Sequence, residues 1–307
     1  SPDFDIKQFS NWYSQAGTPE IRITREWDAD VGKLTLKVQQ NIPCQSSNSK
    51  QYPLVIPIQI AVITFDGRLG EERLLIFDQE QQEFIIEGLP AERKIPIISF
   101  FRNFSAPVKW QSDLSLSDLF HLFRFDDDPF SRWNAGQDLM RKALLSRVNN
   151  TTDFKLEQNL IETFSHLIIT LEGEEPKTLA TLLRLPGLSE LELSQDAVDP
   201  IGLYEARMHL ETLFGRKLSS LLKSLVIANK TACSFRWPNG DGARKITAHA
   251  WRWLALGGDL EVRSEVQKAI RGDSMTLARA ALTALKPIDC NERAMAMSEF
   301  YDRWKNR

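Results

Sequence analysis

The sequence predicts a multi-domain chain: a small antiparallel β-sandwich followed by an all-α, irregular superhelical array of the solenoid kind. Three observations predict it. From Pro19 to about Trp110 the apolar residues recur with a period near two. After Asp113 the period changes to 3.6 and stays there. At 307 residues the chain is long enough to bury more than one core. The expected divisions are residues 1–18 for a helical tail or linker, 19–112 for the sandwich and 113–307 for the helical domain.

The sandwich elements follow in order. "EIRITREW" opens the alternation, and Asp30 to Lys33 contains a glycine suited to a hairpin turn. "KLTLKVQ" then sets Leu34, Leu36 and Val38 on one face and Lys33, Thr35 and Lys37 on the other, the pattern of a half-buried strand. "PIQIAVITF" follows and ends at Asp66-Gly67, a strong turn signal. "EFIIEGLP" and "IPIISFF" bring the set to about six or seven short strands. Prolines 43, 53, 57, 90 and 96 fall where they belong, at strand starts and edges. Such short, alternating strands pack as two sheets.

The helical part holds about nine or ten segments, separated by breakers such as "EGEEP", "LPGL", "WPNGDG" and "KPIDC". Leu218, Leu221, Leu222 and Leu225 stand at i, i+3, i+4 and i+7, one apolar helical face. Short loops make successive helices pack antiparallel. The string is open-ended and has no sharp internal repeat, so an irregular array fits better than a closed bundle.

The stretch "DDDPFSRWNAGQ" is the strongest metal candidate by composition, with Asp126, Asp127 and Asp128 in a row. A calcium- or magnesium-type site needs further oxygen ligands at loop spacings, and none follow. Asp128 before Pro129 is instead a helix start. The carboxylate caps first-turn N–H groups, proline at the first helical position loses no hydrogen bond, and negative charge suits that end of the helix dipole. Phe130, Trp133, Gln137, Met140 and Leu144 then share one face. Asp199-Pro200 repeats the device. No metal is expected at residues 126–128.

Other candidates carry little chemistry. His121, His166, His209 and His249 are far apart and form no H-x-x-x-H pair; His121 and His249 read as packing or hydrogen-bonding residues. "HAWRWLALGG" is aromatic and basic enough to suggest nucleic-acid stacking, but Trp253, Leu254 and Leu256 running into Gly257-Gly258 read as a core helix and its stop. "PNGDGARK" has neither phosphate-loop spacing nor a preceding strand, and is expected as a surface loop. There is no G-x-S-x-G and no cysteine–histidine nucleophile pair. No catalytic, cofactor-binding or metal-binding residue is assigned to this chain.

Composition narrows the setting. A formal net charge of −3 gives no nucleic-acid footprint. No apolar run approaches the roughly 20 residues that span a bilayer, and the first residues do not form a signal peptide. Cys44, Cys233 and Cys290 are odd in number and dispersed, against a disulfide framework. The N-x-Ser/Thr tripeptides at Asn103, Asn149, Asn150 and Asn229 are therefore read as accidental. The expected location is cytoplasmic, with no nucleic-acid or membrane partner.

Two stretches carry a specific resemblance. "FSNWYSQAGTPEIRI" resembles the junction where zinc aminopeptidases of the aminopeptidase N family leave the catalytic domain and enter a small β-sandwich. "DPFSRWNAGQDLM" resembles the start of their C-terminal helical domain, and "FSAPVKW" at 104–110 the last part of the sandwich. "EFYDRWKNR" resembles a mid-domain helix, so the resemblance implies a helical domain cut short at its end. The bacterial alanyl-aminopeptidase branch is the most similar.

What the resemblance implies is a non-catalytic C-terminal region of a metallo-aminopeptidase that removes N-terminal amino acids from peptides. Its zinc would belong to an H-E-x-x-H helix and a downstream Glu, and its substrate amine to a G-A-M-E-N segment; neither motif occurs in this chain. The helical arginines that approach substrate in the family would lie beyond Arg307. Expected partners are the N-terminal and catalytic domains of the same protein, and short peptides in the parent. Two other roles compete: a helical scaffold for protein interaction and a catalytically inactive homologue.

Overall fold

The computed structural model describes residues 6–43, 51–63, 69–90, 93–171, 176–193, 195, 197–236 and 238–305. Asp66-Gly67, Cys44 and most of the "EGEEP" breaker lie outside them. Residues 1–135 form one compact unit and 136–307 another.

The first unit starts with two single-turn helices, α1 (Ile6–Phe9) and α2 (Asn11–Ser14). Trp12 of α2 lies against the sandwich core and donates its indole N–H to the Val55 carbonyl at 2.9 Å. Among the described residues seven strands follow: β1 (Glu20–Asp28), β2 (Lys33–Asn41), β3 (Ile56–Ile63), β4 (Leu69–Phe77), β5 (Gln81–Ile86), β6 (Ile97–Phe100) and β7 (Lys109–Ser112). They form one sheet in the order β5-β2-β1-β7 and another in the order β4-β3-β6. Pairing is antiparallel except that β7 joins β1 in parallel.

The alternation decides which residues meet between the sheets. Ile21 and Ile23 of β1 and Leu34, Leu36 and Val38 of β2 face Ile56, Ile58, Phe77 and Phe100 in one buried cluster. At roughly 1.5–3 kcal/mol for each buried side chain of this size, this layer dominates the stability of the unit. The same alternation turns Arg25 inward, where it is buried. Helix α3 (Leu116–Phe125) follows in the same unit, opened by a reciprocal capping box between Ser115 and Asp118.

Helix α4 (Pro129–Val148) leads into the second unit, which contains α5 (Phe154–Leu171), α6 (Pro176–Leu182), α7 (Leu188–Glu192) and α8 (Pro200–Lys217). Then come α9 (Ser219–Cys233), α10 (Asp241–Gly257), α11 (Leu260–Ala269), α12 (Met275–Leu285) and α13 (Asn291–Trp304). The predicted caps are present: Asp199 accepts from the Gly202 N–H, and Gly258 ends α10 in the left-handed region at φ 97°. Trp253 and Leu254 are in the core, as read from the sequence.

Helix α10 is the hub of this unit, packing on α6, α8, α9, α11 and α12. Its start corrects one expectation. "PNGDGARK" is not a surface loop: only Pro238–Gly240 make the turn, and from Asp241 the chain is helical and mostly buried. Gly240 takes the left-handed turn at φ 73°. Gly242 lets the backbone approach α6, since a Cβ there would lie 2.7 Å from the Lys177 amide nitrogen. Sequence alone reads two such glycines as loop signals, whereas one makes the turn and the other the contact.

Candidate functional site

The three aspartates form a structural junction rather than a ligand cluster. Asp128 caps α4, its Oδ2 accepting from the Ser131 amide at 2.7 Å, while its Oδ1 accepts from the Asn103 amide at 3.0 Å. The cap reading therefore holds for Asp128. Asp126 and Asp127 do something the sequence did not disclose: they hold Arg102. The Arg102 guanidinium is buried and donates to Asp126 at 2.6 Å, to Glu72 at 2.8 Å and to Asp127.

Around this arginine the backbone is strained. Phe101, Asn103 and Phe104 all have φ near +50°, at 54°, 54° and 52°. Non-glycine residues hold that conformation only where surrounding contacts over-determine it. Here those contacts are the ion pairs of Arg102, the Asn103–Asp128 hydrogen bond and the edge-on packing of Phe104 against Phe130, 5.0 Å between ring centres. Burial pushes the Asp126 carboxyl above the usual carboxylate range, opposed by hydrogen bonds from Ser99, the Asp128 amide and Arg102.

A second buried arginine works at the other end of α3. Arg25 of β1 donates to Asp113 at 2.7 Å, to Asp118 at 3.0 Å and to the Pro96 carbonyl at 2.9 Å. Helix α3 is thus stapled to the sandwich by one arginine before it and another after it. In both clusters the guanidinium is held by carboxylates of the same chain, which is the chemistry of a joint and not of a substrate site.

In the helical unit a third network surrounds Glu211 of α8, which is buried and paired with Arg252 of α10 at 2.6 Å and Arg207 at 3.3 Å. Arg207 also donates to the Pro186 carbonyl, and Arg252 to that of Thr283 at 3.0 Å, tying α8 to the loop between α6 and α7 and α10 to the end of α12. His249 faces this group. Burial holds it down at about 4, helped by the charges of Arg207, Arg184 and Arg252 and opposed by a hydrogen bond to the Ala180 backbone.

That depression fixes a pH dependence. The folded imidazole is neutral at pH 7, whereas the unfolded one takes up a proton near its ordinary value of 6.5. Between 6.5 and about 4 the unfolded chain binds more protons, so stability falls as pH falls through that window. By about pH 5 the loss from this residue is roughly 2 kcal/mol. Urea unfolding of His249→Gln and the parent chain near pH 7.5 and 5 measures it; the variant is expected to lose correspondingly less on acidification.

The remaining candidates are structural. His121 packs its ring against Phe125 at 4.9 Å between centres, while burial and the Arg147 charge lower His209. Cys233 is buried against Thr247 at 3.3 Å, and Cys290 precedes α13; both are free thiols. Among the described residues no three His, Cys, Asp or Glu side chains come together as a metal ion requires. The donor set for the zinc that the resemblance implies is therefore not one these residues provide. Among them, too, no helix is long and apolar enough to cross a membrane.

Comparison with known proteins matches the sandwich and the helical array to two successive families. Residues 17–113 match a family described as a domain of unknown function, DUF3458, with an Ig-like fold. Residues 116–307 match the family DUF3458_C, described as a domain of unknown function with ARM repeats. The chain belongs to the DUF3458_C family. The chain is also similar to curated aminopeptidases: aminopeptidase N of Caulobacter vibrioides is 36% identical over 222 residues, covering 72% of this chain and 25% of that protein. Aminopeptidase N of Escherichia coli is 27% identical over 316 residues, covering 98% of this chain and 35% of that protein.

A crystal structure of Legionella pneumophila aminopeptidase A in complex with aspartic acid superposes with a TM-score of 0.83 at 25% identity, covering 98% of this chain and 35% of that one. This DUF3458_C chain spans about a quarter to a third of the length of the relatives it matches. The predicted fold class, a small sandwich followed by a helical array, is that of the matched families. The aminopeptidase N resemblance carried by "FSNWYSQAGTPEIRI" and "DPFSRWNAGQDLM" agrees with the same relatives.

Proposed function

We propose that this chain is the non-catalytic C-terminal region of a cytoplasmic zinc metallo-aminopeptidase that removes N-terminal amino acids from peptides. The sandwich bridges to the catalytic domain and the helical array walls the chamber over the active site, so that short peptides enter and folded proteins do not. The observation that carries this reading is the pairing of two coverages: nearly all of this chain aligns with an aminopeptidase N, yet only 35% of that enzyme is accounted for. The internal chemistry agrees. Arg25, Arg102 and Arg252 are each paired with carboxylates of this chain, and the sequence has neither H-E-x-x-H nor G-A-M-E-N.

On this reading zinc and its ligands belong to the preceding domain of the parent. The 307-residue chain, supplied with zinc, is expected to release no amino acid from alanyl p-nitroanilide or alanyl dipeptides; robust turnover by the purified chain would overturn the assignment. An interaction scaffold or an inactive homologue would instead lack the zinc motif upstream in the gene, and reading that sequence separates them.

A further inference from the structure

Between α10 and α12 lies a cleft of about 310 Å³ whose charged lining is entirely cationic: Arg244, Lys245 and Arg279. The Thr276 hydroxyl adds a neutral polar group. Arg244 is only 6% exposed. Its guanidinium is held by the carbonyls of Cys233, Phe235 and Asn239 at 3.3, 2.7 and 3.2 Å, with no carboxylate partner among the described residues. Arg279 is exposed, and its guanidinium has no acceptor among the described residues. Lys245 pairs with Asp241 of its own helix at 2.9 Å, and that carboxylate does not line the cleft.

The rest of the lining is apolar: Ala248, Ala280 and Met275. Two alanines leave room, and methionine adapts to the shape of an apolar guest. A site of this kind takes an anion that carries an apolar group. Planar guanidinium groups suit carboxylate, with charge-assisted and often bidentate hydrogen bonds. Three cations with no lining acid also repel an ammonium group. A free amino acid places its ammonium beside its carboxylate; a peptide places it at the far end.

We propose that the α10–α12 cleft binds the C-terminal carboxylate of short peptides, with an apolar last side chain seated on Ala248, Ala280 and Met275. The choice of a peptide carboxylate over other organic anions rests on the peptidase reading above. The cleft is an anchoring site: no bond is made or broken there, and the reacting end of the peptide lies elsewhere.

The test is an NMR titration of the 307-residue chain, following the Ala248, Ala280 and Met275 methyl groups. The probes are N-acetyl-alanyl-leucine, its C-terminal amide, free leucine and inorganic phosphate. The acid is expected to bind about tenfold more tightly than the amide, the value of one charge-assisted hydrogen bond. Arg279→Gln combined with Lys245→Gln is expected to weaken the acid about tenfold with an unchanged melting temperature. Equal binding of acid and amide, no response at these methyls, or phosphate or free leucine binding as well as the acid would overturn the proposal. An acetylated peptide has no free amine to be cleaved from, so this result is independent of whether the parent proves to be an aminopeptidase.

Discussion

Replacing Arg102 by methionine will destabilise the sandwich unit by about 3–4 kcal/mol, more than its lost packing explains. The guanidinium is the cation paired with Asp126, whose side chain is fully buried, and it also pairs with Glu72 and Asp127, which are partly exposed. Removing the cation leaves the Asp126 carboxylate in the interior with only the Asp128 amide and Ser99 as donors. An uncompensated buried charge costs far more than a surface pair gains.

Two further measurements identify the cause. The double variant Arg102→Met with Asp126→Leu should recover most of the loss, because it removes both charges together. The single variant should also regain stability relative to the parent as pH falls, because protonating Asp126 relieves the unpaired charge. Denaturant unfolding followed in the two variants and the parent reads both effects. A deficit that is small, or that does not change with pH, would show that Arg102 contributes packing and not charge balance. The strained turn at Phe101–Phe104 should loosen in parallel, seen as faster amide exchange at Asn103.

Gly215→Ala will destabilise the helical unit by about 2–3 kcal/mol although alanine is the better helix former. Gly215 of α8 lies against the backbone of α10, and a Cβ added there would fall inside the contact radius of the Trp253 carbonyl oxygen. The partner on α10 is Gly257, where a Cβ would sit 2.8 Å from the Gly215 carbonyl carbon. Two glycines thus let the hub helix and α8 touch backbone to backbone.

The obstacle is main chain on both sides, so neither position can relieve it by a rotamer change. The helices must separate, and that disturbs the layer of Phe164, Phe214 and Trp253, whose ring centres stand 5.0–5.6 Å apart. Thermal unfolding of Gly215→Ala and Gly257→Ala should show the larger loss for the first. A gain for Gly215→Ala, as helix propensity alone predicts, would refute the close crossing.

Much of the architecture is legible in the residues. Leu34, Leu36 and Val38 alternate and are buried; Asp199-Pro200 and Asp128-Pro129 start helices; Gly257-Gly258 stops one. These features are local: a period, a cap or a turn is set by neighbours in sequence. What failed to show is contact between distant residues. Gly242 reads as a loop residue because glycine reports only that Cβ is absent, and the reason here is an approach by Pro176-Lys177 from elsewhere in the chain.

The same divide runs through the acidic stretch. From sequence, "DDDP" supports a cap and argues against a metal, and the Asp128 geometry carries out the first of these. Nothing in the sequence links Asp126 to Arg102, 24 residues earlier, or Arg25 to Asp113, 88 residues later. A lone arginine in a strand or turn reads as a surface charge until its partners are located in space. The sequence by itself determined two periods, the order of a sandwich and a helical array, the positions of caps and breakers, and the absence of catalytic motifs. Tertiary structure alone decided which charges are buried against which, where glycines let backbones meet, and that a cationic cleft opens between α10 and α12. Those depend on ion pairs and packing contacts that are strong only at a few ångströms, and only folding brings their partners that close.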